Sequence, residues 1–174
     1  MADAPVIDTL IDAQKIADRI AQLGKQITED YAGKEVVIVP VLKGSFVFAA
    51  DLIRQIDLEC SIDFLGLRSY EGTESSGVVQ ITHDLTKAVE GRHVIVVEDI
   101  VDTGLTMQYL LENLATRKPA SVKTVSLLHK PARSKVEVPI DYLGFTIDDV
   151  FVIGYGLDFD QKYRNLPYLG VVRS

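Results

Sequence analysis

The chain has 174 residues, of which 47% are hydrophobic and 25% are charged, and its formal net charge is −7. This composition predicts one soluble, cytoplasmic globular domain over residues 1–174. The acidic balance argues against a nucleic-acid partner, and the lack of a long apolar run argues against a membrane partner. Cys60 is the single cysteine, which excludes an intramolecular disulfide and a cysteine-based metal site.

The N-terminal segment predicts a short edge strand over residues 6–11, followed by a helix that Asp12 caps and Gly33 ends. The helix is predicted from apolar residues at helical spacing, namely Ile16, Ile20, Leu23 and Ile27. The apolar run 36–42 predicts a buried strand, and a turn at 43–45 leads into a second helix. Its packed side is predicted to carry Phe46, Ala49, Ala50, Ile53 and Ile56.

Two further strands are predicted over residues 61–67 and 78–81. The polar, glycine-containing segment between them, residues 69–77, suits either a plain hairpin loop or a lid over a site. Both interpretations remain open from the residues alone.

The central segment begins with the β-branched run 94–97, which is typical of a strand buried in a parallel sheet. Glu98 and Asp99 follow where this strand is expected to end, and Asp102 comes after two more apolar residues. The small residues 103–106 then form a turn that opens a helix, so backbone N–H groups and hydroxyls make a phosphate site. Neighbouring carboxylates favour a sugar phosphate, whose hydroxyls can donate to them and share a divalent cation with them.

The C-terminal part predicts strands over residues 122–128, 142–145 and 151–155, after a helix that Pro119 ends. Strands that alternate with helices indicate an α/β fold, with a mostly parallel sheet and helices on both faces. Ligands of such sheets bind beyond the carboxyl ends of the strands. Four segments are therefore expected at one edge of the sheet, namely residues 42–44, 98–106, 129–130 and the tail after Tyr155.

The segment from Val94 to Thr106 resembles the signature with which type I phosphoribosyltransferases bind 5-phosphoribosyl-1-pyrophosphate (PRPP). The shared pattern is an apolar strand, two acids and then Asp-Thr-Gly-x-Thr. Further segments resemble motifs of the family members that act on 6-oxopurines, and they occur in the same order along the chain. These segments are residues 41–44, 69–70, 130, 151–158 and 163–166. The resemblance implies the type I phosphoribosyltransferase fold, with a small hood and an antiparallel lid loop that contains Ser69 and Tyr70.

The resemblance also implies an activity in purine salvage. A Mg²⁺-dependent enzyme would move 5-phosphoribosyl from PRPP to N9 of hypoxanthine or guanine, giving IMP or GMP and pyrophosphate. Asp102 would be the general base, and a homodimer or homotetramer is expected. The ribose and 5′-phosphate would contact Glu98, Asp99, Asp102, Thr103, Gly104, Leu105 and Thr106. Pyrophosphate would contact Lys43, Gly44 and Arg164. The purine would contact Lys130, Phe151, Val152 and Asp158. Mg²⁺ would be bound by Glu98, Asp99 and Asp158.

Alternatives remain at the level of single residues and of the whole chain. Lys43 and Lys130 could instead be ordinary surface lysines, and Phe151 could be a core residue. Asp158 could cap a helix or turn, and Arg164 could form a surface ion pair. The same fold could prefer xanthine, or it could belong to a non-catalytic regulator that binds PRPP or RNA. The central acids also suit a receiver domain with a phospho-accepting aspartate.

Overall fold

The computed structural model describes residues 5–69 and 79–173. Within these residues the main sheet has seven strands, β2 (Val36–Leu42), β3 (Cys60–Ile62), β4 (Leu65–Ser69), β5 (Val79–His83), β6 (His93–Val101), β7 (Ser121–His129) and β8 (Tyr142–Thr146). Their order across the sheet is β5-β4-β2-β6-β7-β8, with β3 also paired to β2. All of these pairings are parallel except that of β4 with β5. The mostly parallel sheet predicted from the sequence is thereby confirmed.

A small antiparallel sheet covers one end of the molecule. It consists of β1 (Ile7–Ile11), β9 (Val152–Ile153) and β10 (Leu169–Val172), with β10 in the middle. It corresponds in place to the predicted hood, although β10 was not predicted. The strand expected over residues 151–155 is shorter because Gly154, Tyr155 and Gly156 all have positive φ angles, which an extended strand does not allow.

In the described part of the chain, three α-helices lie on the two faces of the main sheet, α1 (Ala13–Asp30), α2 (Phe46–Ile53) and α3 (Leu105–Ala115). Alternate side chains of β2 point to opposite faces, as the period of a strand requires. Ile38 packs in the core that α1 and α2 share, whereas Val39 packs in the core beneath α3. Helices on both faces are thereby confirmed. None of the described helices is both long and apolar enough to cross a membrane.

Helix α1 follows its prediction closely. The Asp12 side chain caps it by accepting from the Lys15 backbone N–H at 2.9 Å, and the four predicted apolar residues are buried. Arg19 on its partly buried flank donates to the carbonyls of Leu143 and Gly144 on β8 at 2.6–3.2 Å. The helix is thus fixed to the outer strand of the sheet.

The packed face of α2 was predicted correctly only in part, since Ala49 and Ile56 are buried and Ile53 packs against the core as predicted. Phe46 is 45% exposed and Ala50 is exposed, whereas Phe48 and Leu52 are buried. The prediction assumed one helical face that continued to Ile56, but the helix ends at Ile53 and starts from a turn in which the buried Ser45 hydroxyl donates to the Val41 carbonyl.

The strand predicted over residues 61–67 is interrupted. Its two parts, β3 and β4, pair with successive portions of β2. Asp63 lies between them, and its carboxylate accepts from the backbone N–H groups of Phe64, Thr86 and Lys87. The bonds from Thr86 and Lys87 tie the break between β3 and β4 to the segment that follows β5.

Candidate active site

Two adjoining cavities lie at the carboxyl ends of β2, β6 and β7, at the edge that the sequence predicted. The first has a volume of about 270 Å³, and its lining includes Gly44, Ser69, Glu98, Asp99, Asp102, Thr103, Gly104 and Thr106. The second has a volume of about 250 Å³ and is lined by Asp99, Ile100, Asp102, Lys130, Phe151, Val152, Leu157 and Asp158. Asp99, Ile100 and Asp102 form a wall that both cavities share. The two predicted substrate regions are therefore side by side.

The turn after β6 has the form of a phosphate-binding loop. Gly104 precedes α3 with φ of 84°, a conformation that favours glycine. A side chain there is also excluded by space, because a Cβ would lie 2.7 Å from the Val136 carbonyl oxygen. The first N–H groups of α3 have no acceptor within the helix, and Thr103, Gly104 and Thr106 line the first cavity. This is a suitable site for the 5′-phosphate of a nucleotide.

Glu98 and Asp99 lie within β6 and not beyond its end, which corrects the predicted strand boundary. Glu98 is only 7% exposed and Asp99 is partly buried. Burial raises the pKa of Glu98 well above its usual range, and the neighbouring Asp99 charge raises that pKa further. The pKa of Asp99 is also raised, chiefly by burial. The cavity thus holds two carboxylates that would gain from a nearby cation or from hydroxyl donors.

The donor set fits Mg²⁺ in one particular binding mode. In residues 5–69 and 79–173, no three acidic, histidine or cysteine side chains form a ready ligand group. Asp158, the third predicted ligand, pairs instead with Arg164 Nη2 at 3.2 Å. Mg²⁺ is commonly held by one or two carboxylates together with substrate phosphates and water. Glu98 and Asp99 fit that mode, and the role of all three acids in metal binding stays a prediction.

We expect the Glu98→Gln variant to have a higher Tm than the wild type at pH 8, because burial and the Asp99 charge raise the pKa of Glu98 in the folded state. An acid whose folded pKa is raised keeps a proton that the unfolded chain releases. Stability therefore falls as the pH rises from the unfolded value of about 4.5 toward the folded pKa. The neutral amide removes this loss, so the difference in Tm should shrink as the pH approaches 5. Thermal unfolding without Mg²⁺ measures this difference in Tm, and Glu112→Gln on the exposed surface of α3 is the control. A Tm of Glu98→Gln that exceeds the wild-type value equally at every pH would contradict the raised pKa of Glu98.

Gly44 lies directly against the carboxylate of Asp99. A Cβ at Gly44 would be 1.8 Å from Asp99 Oδ2, so only glycine leaves room for this contact. The preceding Leu42–Lys43 peptide bond is cis. Asp99 cannot move away freely, because its Oδ1 accepts from the Ile100 backbone N–H at 2.8 Å. The loop after β2 and the acids of β6 are therefore fitted to each other.

Replacing Gly44 by Ala should raise the KM for PRPP by about tenfold to hundredfold, because the new methyl group displaces the Asp99 carboxylate. Initial rates at varied PRPP concentration measure this effect. Gly33→Asn is a suitable control, since Gly33 has φ of 75°, which Asn tolerates, and no atom lies within 4 Å of an added Cβ. An unchanged KM in Gly44→Ala would show that the contact has no part in binding.

The three predicted pyrophosphate residues are only partly brought together. Gly44 lines the first cavity, but Lys43 is exposed and Arg164 lines a separate cavity. Gln161 connects the two cations, because its Oε1 lies 3.5 Å from Lys43 Nζ and 3.1 Å from Arg164 Nη2. Arg164 Nη1 also donates to the Gly156 carbonyl at 2.7 Å. The pyrophosphate role of Lys43 and Arg164 stays a prediction.

Gly156 and Gln161 were missed by the sequence analysis. Gly156 has φ of 98°, and a Cβ there would lie 2.4 Å from the Gly44 carbonyl oxygen. Gln161 is in a hairpin that folds back, where Gly156 N–H donates to the Arg164 carbonyl at 2.9 Å. The glycines of the tail could have signalled a close backbone approach, but nothing local marks Gln161.

The second cavity carries the residues predicted to contact a purine. Lys130 is buried to 8% exposure, with its ammonium 4.0 Å from Asp149 Oδ1. Phe151 is 56% exposed, in edge contact with Phe159 at 5.8 Å between ring centroids, so it is not a core residue. Val152 is buried in β9. A ring face, an ammonium donor and backbone groups thus surround one cavity, although this grouping does not test their roles.

The predicted lid is described only at its base. β4 and β5 form an antiparallel pair in which Ser69 is opposite Val79, and Ser69 lines the first cavity. Tyr70 and the rest of the predicted lid, residues 70–77, lie outside the described residues.

Both the sequence and the fold of this chain are similar to those of known proteins. A family model described as phosphoribosyl transferase domain matches residues 6–160. A hypoxanthine-guanine phosphoribosyltransferase of Dictyostelium discoideum is 48% identical over 172 residues, which cover 96% of each chain. A hypoxanthine-guanine-xanthine phosphoribosyltransferase of Tritrichomonas foetus is 44% identical, over 100% of this chain and 98% of its own. The crystal structure of a hypoxanthine-guanine phosphoribosyltransferase from Bacillus anthracis has a TM-score of 0.92 and 44% identity, over 98% of this chain and 99% of that chain.

These similarities cover nearly the whole chain, from the small antiparallel sheet to the tail. They exclude the receiver-domain alternative, and they confirm the fold class that the sequence resemblance implied. The chain belongs to the phosphoribosyltransferase family and has its type I fold.

Proposed function

We propose that the chain transfers 5-phosphoribosyl from PRPP to N9 of hypoxanthine or guanine, releasing pyrophosphate. The observation that carries this proposal is the shared wall of the two cavities. Asp102 lies on that wall, with the phosphate turn on one side and Lys130 on the other. A sugar phosphate in the first cavity and a purine in the second would meet beside a carboxylate.

On this proposal, the phosphate turn holds the 5′-phosphate through backbone N–H groups and the hydroxyls of Thr103 and Thr106. Glu98 and Asp99 accept hydrogen bonds from the ribose hydroxyls. The same two carboxylates would hold Mg²⁺, which would supply positive charge to offset the charge that develops on the pyrophosphate leaving group. The bond from C1′ to pyrophosphate breaks ahead of the bond to N9, and the backbone at Gly44 supports the departing group.

The purine binds between the Phe151 ring and the shared wall. Lys130 donates to the oxygen at C6, and Asp102 accepts the N7 proton as N9 attacks C1′. Water must be kept from the cationic sugar, since hydrolysis of PRPP competes with transfer. Closure of the predicted lid over the first cavity would provide that exclusion.

The direct experiment incubates the protein with PRPP, Mg²⁺ and one base at a time, and identifies the product by chromatography. We expect monophosphates from hypoxanthine and guanine, none from adenine or uracil, and none after chelation of Mg²⁺. A product from xanthine alone would replace the proposed substrates, an outcome that the name of the Tritrichomonas foetus relative makes worth testing. No product from any base, together with salt-sensitive RNA binding, would indicate a regulator instead.

We also propose that the chain acts as a single domain in a homodimer or homotetramer in the cytoplasm. The family resemblance and the acidic composition support this assignment. Sedimentation of the purified protein measures the assembly, and a monomer at all concentrations would contradict it.

A further inference from the structure

The segment that follows β7 is tied to the segment that carries Asp102. A 3₁₀ helix, Pro131–Arg133, comes directly after Lys130. The backbone N–H of Lys130 donates to the Val101 carbonyl at 3.0 Å, and that of Lys135 donates to the Thr103 carbonyl at 2.9 Å. Main-chain bonds on both sides of the 3₁₀ helix therefore fix where the Arg133 side chain starts relative to Asp102.

Four charged side chains form a chain of alternating sign in this place. Arg133 Nε donates to Asp102 Oδ1 at 2.7 Å. Arg133 Nη1 lies 3.8 Å from Asp149 Oδ1, and Lys130 Nζ lies 4.0 Å from the same oxygen. Asp102 and Lys130, the two ends of the chain, line the second cavity, whereas Arg133 and Asp149 do not line it.

The Arg133 bond has more effect on orientation than on stability. About half of the Arg133 side chain is exposed, at 48%, and exposed ion pairs contribute little to folding. A charge-assisted bond from a planar guanidinium nevertheless fixes the plane of the carboxylate. Because Oδ1 of Asp102 accepts from Arg133, Oδ2 remains to receive a proton from a ligand.

From this geometry we infer that Arg133 is a positioning residue for the proposed reaction, and that Asp149 couples it to Lys130. The guanidinium keeps the Asp102 carboxylate turned toward N7 of the purine. Asp149 holds Arg133 and Lys130 at a fixed separation, so the N7 acceptor and the donor to the C6 oxygen act as one unit. This inference depends on the proposed function, in which Asp102 accepts the purine proton.

A double-mutant cycle tests whether Arg133 acts through Asp102. In the otherwise wild-type chain, Arg133→Gln should lower kcat by about tenfold to hundredfold while the KM for PRPP stays unchanged. In the Asp102→Asn background the same change should alter kcat by less than about twofold. Arg133→Lys keeps the positive charge but lacks the planar guanidinium, so its kcat should lie between those of Arg133→Gln and the wild type. Tm should stay near the wild-type value in each variant.

Arg173→Gln is the matched control, because Arg173 forms a similarly exposed pair with Asp8 far from both cavities. Equal losses from Arg133→Gln in both backgrounds would overturn the inference, as would an Asp102→Asn variant with undiminished turnover. Full activity of Arg133→Gln would also overturn it. If the wild type and the control form no nucleoside monophosphate, the proposed function fails, and the inference fails with it.

Discussion

The Asp102→Asn variant should turn over hypoxanthine about 10²–10⁴-fold more slowly than the wild type, because general-base catalysis contributes on that order. Asn keeps the shape of the side chain and can still accept a hydrogen bond, but it cannot take a proton at neutral pH. Asp102 lies on the wall between the two cavities, so the loss is expected in kcat. PRPP binding should remain close to that of the wild type.

Steady-state rates measure the first effect, and calorimetric titration with PRPP and Mg²⁺ measures the second. Asp84→Asn is a suitable control, since Asp84 pairs with Arg117 at 2.7 Å and lines neither cavity. Turnover equal to that of the wild type would remove Asp102 from the role of base. A loss of PRPP binding as large as the loss of kcat would make it a binding residue instead.

Because of Lys130, we expect kcat/KM for adenine to be about 10⁴–10⁵-fold lower than kcat/KM for hypoxanthine. Its buried ammonium offers hydrogen-bond donors only, so the amino group at C6 of adenine would place donor against donor. Lys130→Gln supplies an amide oxygen that accepts from an amino group. The variant should lose activity with hypoxanthine and gain activity with adenine, which lowers the discrimination by at least about 10².

Rates with each purine under saturating PRPP give the ratio. Lys25→Gln on the exposed side of α1 controls for the loss of a positive charge. If both variants keep the wild-type preference, Lys130 does not select the base. A general loss of activity with an unchanged ratio would lead to the same conclusion.

The parts of the fold with strong local signals could be predicted. Asp12 caps α1 because a short acidic side chain precedes a regular apolar pattern, and the central β6–turn–α3 segment carries its own sequence signature. α2 lacked such a signal, because nearly every residue in it is apolar. Its buried face was therefore set by where the preceding turn aimed the helix, which the sequence does not state.

The residues of the candidate site also include some that the sequence could predict and others that it could not. Gly44, Asp99, Asp102 and Gly104 occur in motifs, and the structure brings them to one cavity. Arg133 and Gln161 make long-range contacts, Arg133 with Asp102 in the turn after β6 and Gln161 with Lys43 in the loop after β2. Such partners depend on how separate loops meet in space. A single sequence without alignment offers no local pattern that would identify them.

The bonds from Arg19 to β8 have a consequence for how copies of this chain can meet. An outer strand normally presents free carbonyls that another polypeptide can use to extend the sheet. Here a guanidinium already occupies the carbonyls of Leu143 and Gly144. A second molecule would have to displace that cation before it could add a strand at this border, so extension of the sheet is disfavoured there.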